Sequence, residues 1–137
     1  SNLCETRLIG MLTRYMKFDG FLRWNYTVWP DDPRRDIRYG AFAAGDTNFV
    51  YPAADGRPLL TLRYMALRRA VEDFELMRLM DRAGKGGIAD AAILTVLREK
   101  DVRAYFEDGA PIPLERICSV DYRDYEAVRR TLLKNLA

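Results

Sequence analysis

The chain has 137 residues, nearly half of them apolar and about a third charged, with a net charge of only +2. That length suits one domain with a real core, and the near balance of charge gives no electrostatic case for nucleic acid or a membrane surface. There is no histidine, which removes the commonest general base and the commonest transition-metal ligand. The two cysteines, Cys4 and Cys118, match no zinc or redox spacing and read as buried thiols. No apolar run is long enough to cross a bilayer, and no signal peptide opens the sequence.

Cys4 to Lys17 reads as an amphipathic helix. Leu8, Met11, Leu12 and Tyr15 share one stripe, and Arg7 and Arg14 lie elsewhere on the cylinder. Gly10 weakens this helix by up to ~1 kcal/mol relative to Ala and marks close packing against a neighbour. Asp19-Gly20 is the stop. The stretch that follows, Asp19–Trp29, alternates Leu22, Trp24, Tyr26 and Val28 on one face with Phe21, Arg23, Asn25 and Thr27 on the other. With apolar residues on both faces, it reads as a strand covered on two sides. Pro30 to Ala44 is a long irregular loop. Gly45-Asp46 opens a short second strand, Asn48–Tyr51, and Asp55-Gly56 is a further turn, so Asp46–Leu60 reads as an irregular hairpin.

Thr61 caps the longest helix, which runs to Ala83 with Leu67, Ala70, Val71, Phe74, Met77 and Met80 or Leu79 as its stripe. Arg68–Glu72 and Arg69–Asp73 stand at i, i+4, so Glu72, Asp73 and Glu75 read as a solvated acidic face. Gly84–Gly87 is a connector, since a phosphate loop needs a strand before it and a helix after. A further helix from Ile88 to about Val102–Phe106 follows. The last helix is capped by Asp121 or Asp124 and carries Val128, Leu132 and Leu136.

Trp24, Tyr26 and Trp29 have two readings. They are core between strand and helices, or they are a platform for a sugar ring, as large amphipathic aromatics often are. Spacing favours the core. Asp46, in Gly45-Asp46-Thr47, reads first as a turn-stabilising acceptor.

Four segments occur in order: ETRLIG (Glu5–Gly10), FDGFLRWNYTVW (Phe18–Trp29), AGDTNFVYP (Ala44–Pro52) and RYMALRRAVEDFE (Arg63–Glu75). Together they resemble the C-terminal part of domain-of-unknown-function family 4091, a region similar to the C-terminal end of glycoside hydrolase family 123 catalytic barrels. Asn25 and Thr27 stand where that family pattern has Ala and Asn, and Phe42-Ala43 replaces its tryptophan-proline. Trp24, Tyr26, Trp29, Asp46 and Tyr51 match, and the resemblance makes them substrate-binding candidates. It implies a substrate-assisted hydrolase acting on N-acetyl-galactosamine, with an adjacent Asp-Glu pair as its catalytic group. It calls for no cofactor and no metal. This sequence contains no Asp-Glu dipeptide, and no catalytic residue is assigned.

The expected fold is therefore α/β and mostly helical: the C-terminal segment of a (β/α)8-type barrel, with one or two short strands and about four helices. A whole barrel takes about 250 residues. Residues 1–83 read as the barrel tail and 84–137 as a C-terminal helical extension. The expected partners are a glycan, the upstream part of the same barrel and, in isolation, further copies of the chain, with neither nucleic acid nor membrane. The alternatives are a free-standing carbohydrate-binding or protein-interaction module and, less favoured, a small independent enzyme.

Overall fold

The computed structural model describes residues 3–22, 26–42, 44, 48–101, 103–105 and 112–137. Helix α1 spans Leu3–Tyr15, with Glu5 in its first turn and Arg14 in its last, the arrangement the helix dipole favours. It does not stop at Asp19-Gly20. Lys17 takes a left-handed φ of 57°, the Phe18 amide donates to the Thr13 carbonyl (2.9 Å), and the Lys17 amide donates to that of Arg14 (3.1 Å). This is a Schellman stop with lysine where glycine is usual.

The expected two-sided strand at Asp19–Trp29 is not what forms. Residues 19–22 make no strand, Leu22 is 91% exposed, and Thr27 meets Asn48 in one isolated antiparallel bridge. Alternation of side chains makes a strand possible, but a strand exists only where its backbone groups find a neighbour. No parallel strand lies alongside among the described residues. Arg23, Trp24 and Asn25 lie outside the described residues.

The hairpin does form. β1 (Val50–Pro52) pairs antiparallel with β2 (Pro58–Leu60) in the register Val50↔Leu60, Tyr51↔Leu59 and Pro52↔Pro58. Gly56, at φ 79°, turns the chain between them. β2 leads directly into α2 (Leu62–Arg82) through Thr61. The Thr61 hydroxyl accepts from the Tyr64 amide (3.1 Å) and donates to the Phe49 carbonyl (2.7 Å), so one side chain caps the helix and ties it to the hairpin.

Gly84, at φ 71°, closes α2 with the same Schellman bonds, Lys85 amide to Met80 carbonyl and Gly84 amide to Asp81 carbonyl. α3 (Gly86–Ile93) is shorter than its sequence implies. The Thr95 hydroxyl donates to the Ala92 carbonyl (2.7 Å), Val96 and Leu97 turn into the core, and Leu97 pairs with Cys118 in an isolated bridge. α4 is one short turn (Leu114–Ile117), and α5 (Tyr122–Leu136) starts at Asp121, whose carboxylate accepts from the Arg123 amide (2.9 Å).

The described fold is thus mostly helical, with five helices and a small two-stranded sheet, as the α/β expectation required. α1 lies along α2 with Gly10 against the Ala70 backbone, where a Cβ would stand 2.1 Å from the Ala70 carbonyl oxygen. Around this crossing the core gathers Leu8 and Met11 of α1, Met77 and Met80 of α2, Ile93 of α3, and Val128 and Leu132 of α5. Cys4 and Cys118 are both buried, and burial is the first cause pushing each thiol's pKa up.

Candidate functional site

The described aromatic candidates meet at the hairpin. Tyr26 stacks on Phe49, with ring centroids 5.4 Å apart and planes 15° from parallel. Three residues on, the Trp29 indole Nε1–H donates to the Val50 carbonyl (2.8 Å), and Tyr51 follows on β1. Phe49 is buried, whereas Tyr26 and Trp29 remain 48% and 42% exposed and Tyr51 is half-buried. The rings are therefore fixed from behind, by a core aromatic and a backbone carbonyl, and open in front. Burial raises the Tyr26 hydroxyl's pKa, and Tyr64 adds to the shift. Trp24 and Asp46 lie outside the described residues.

The acidic face expected on α2 is not a solvated one. Asp73 is fully buried and accepts from Arg7 Nε (2.5 Å) and Arg129 Nη1 (2.8 Å). Arg69, the expected i, i+4 partner of Asp73, donates instead to Glu72 (3.1 Å). Arg7 is itself fully buried, donates to Glu126 (2.7 Å), and lies 5.1 Å from the centre of the Tyr122 ring. Burial opposes its charge, but the bonds to Asp73 and Glu126 outweigh that and hold the guanidinium more firmly protonated than usual. A second arginine, Arg14, bridges Asp81 of α2 (2.5 Å) and Asp90 of α3.

These ion pairs hold helices together, and their groups hydrogen-bond one another except for the buried Arg7 Nη2, which has no acceptor among the described residues. The sequence signal for them was an arginine next to Leu8 of the α1 stripe and a carboxylate next to Phe74 and one turn before Met77. Neither names its distant partner. Among the described residues, no three His, Cys, Asp or Glu side chains gather to hold a metal ion, and no helix is long and apolar enough to cross a membrane.

Large apolar side chains are also exposed in the first 80 residues, including Phe18, Phe21, Leu22, Leu59, Leu60 and Val71. Phe21 and Val71 border a groove of about 220 Å³ along the α1–α2 crossing, shared with Ile9, Leu67 and Phe74.

Residues 1–80 match the family described as glycoside hydrolase 123, catalytic domain. The chain belongs to that family, and its function is glycoside hydrolase-related. No curated protein and no solved structure matches the chain.

Proposed function

We propose that this chain is the C-terminal segment of a glycoside hydrolase 123 catalytic barrel and supplies aromatic wall residues to a sugar site. The observation that carries this reading is the open-fronted Tyr26–Trp29 platform, lying within the residues that match the catalytic domain. In it Tyr26, Trp29 and Tyr51 contact the sugar, and Trp24 and Asp46 join them as candidates on the resemblance alone. The substrate is an N-acetyl-galactosamine glycan.

The exposed Phe21 and Leu22 support a partner surface in the upstream part of the same barrel, where residues 19–22 acquire the strand neighbours that they lack among the described residues. Residues 1–83 form the tail of that barrel and 84–137 its helical extension. The chain carries no Asp-Glu dipeptide, so the sugar site lacks its acid and its acetamido-orienting carboxylate. Alone it turns nothing over.

The test is hydrolysis of a chromogenic N-acetyl-galactosaminide by the purified chain. No release above the buffer rate is expected, and turnover that follows enzyme concentration would overturn the assignment. A second reading, a free-standing carbohydrate-binding module, draws on the core that α1, α2, α3 and α5 close among themselves.

A further inference from the structure

The carboxylate of Glu72 is shared by three guanidinium groups. Arg68 Nε donates to Oε1 (3.2 Å), while Arg69 Nη1 and Arg129 Nη2 both donate to Oε2 (3.1 Å each). Arg129 has a second acceptor in Asp73 (2.8 Å), but among the described residues Arg68 and Arg69 have Glu72 alone. Among their hydrogen bonds one carboxylate thus serves two guanidiniums, and although the charge of Glu126 also reaches Arg69, most of their N–H donors stay uncommitted.

Both arginines border a cleft of about 340 Å³ between α2 and the start of α5, completed by Met65, Glu72 and Tyr122. Its wall is not a loose surface. The Tyr122 ring is held by the buried Arg7 guanidinium at 5.1 Å and by Tyr125 at 6.5 Å between centroids. Glu72 draws both arginines to one side of the cleft. A guanidinium fork recognises carboxylate, sulfate and phosphate through paired N–H donors, and an aromatic wall suits the apolar face of a sugar ring. The volume falls in the range of small-ligand sites.

We propose that this cleft binds a small ligand through an oxyanion group held by Arg68 and Arg69, with Tyr122 and Met65 as its apolar wall. The site is separate from the Tyr26–Trp29 platform and does not depend on the chain's being a barrel segment. Two sources share this chemistry: the carboxylate of an acidic sugar, and a free inorganic oxyanion.

The test is a titration of the chain at constant ionic strength with glucuronate, with sulfate and with neutral glucose, read from arginine Nε–H and backbone amide resonances. Saturable shifts on Arg68, Arg69 and Tyr122 with glucuronate and not glucose assign the cleft to an acidic sugar. Equal saturation with sulfate assigns it to a free oxyanion. Arg68→Gln/Arg69→Gln, two exposed positions at which the fold should persist by circular dichroism, should weaken either ligand by at least about tenfold. Shifts no larger than those from chloride, or unchanged affinity in the folded double variant, would overturn the proposal.

Discussion

Arg7 and Asp73 stand 66 positions apart and form an ion pair of 2.5 Å in which neither side chain exposes any surface. Arg129 and Glu126 of α5 complete it, so α1 and α2 are joined to α5 through charge. Residues 1–80, the family-matched part, therefore share a core and an ion network with the helices that follow.

Breaking this network is costly because it strands a buried charge. Asp73→Ala removes one of the two carboxylates that hold each of Arg7 and Arg129, and truncating one partner of a buried pair costs about 3–5 kcal/mol. Urea unfolding followed by circular dichroism should show an unfolding free energy lowered by that amount. A loss under about 1 kcal/mol would mean the pair is solvated.

Gly10→Ala sets two effects against each other. Alanine gains about 1 kcal/mol in helix propensity. Its Cβ, however, would lie 2.1 Å from a backbone carbonyl oxygen that cannot rotate away. Overpacking of this kind costs typically about 1–3 kcal/mol or more, so the clash wins. The melting temperature should fall; a rise would show that α1 and α2 do not approach so closely.

Arg7 holds the Glu126 carboxyl below its ordinary 4.5, and Arg14 holds Asp81 below 3.8. Both groups are more acidic folded than unfolded. Their contribution is complete above the unfolded values and is lost as pH falls through the folded ones. The melting temperature should therefore decline as pH drops below about 4.5, and Glu126→Gln should flatten that decline. An equal acid slope in the variant would remove Glu126 from the account.

The caps were legible because they are local. Thr61 and Asp121 bond to amides within three residues of themselves, so residue type and position suffice. A related local pattern went unread: Asp36, Asp55, Asp101 and Asp121 each accept from the amide and side chain of an arginine two residues on. The Arg7–Asp73 pair was illegible, because burial of a charge depends on a partner anywhere in the chain, and Arg69 offered a nearer one. Segment 19–29 misled for the opposite reason. Its alternation is real, but pairing and not alternation makes a strand, and Thr27–Asn48 is the one bridge it makes among the described residues. Of the candidate site, Tyr26, Trp29 and Tyr51 do converge on one hairpin, which neither their spacing nor their chemistry could show.

The outer edge of β2 carries exposed Leu59 and Leu60 with no neighbouring strand among the described residues. Such an edge favours pairing between copies. Light scattering of the isolated chain should give a dimer or larger assembly that dissociates on dilution. A monodisperse monomer across a wide concentration range would count against it.

The most direct measurement is the Trp29 indole N–H resonance during titration with N-acetyl-galactosamine. Trp29 donates to Val50 at the edge of the platform, so a sugar stacked there must shift it. The account predicts a saturable shift that is lost in Tyr26→Ala while the fold is retained. A resonance unmoved at saturating sugar, or one that moves equally in Tyr26→Ala, would contradict it.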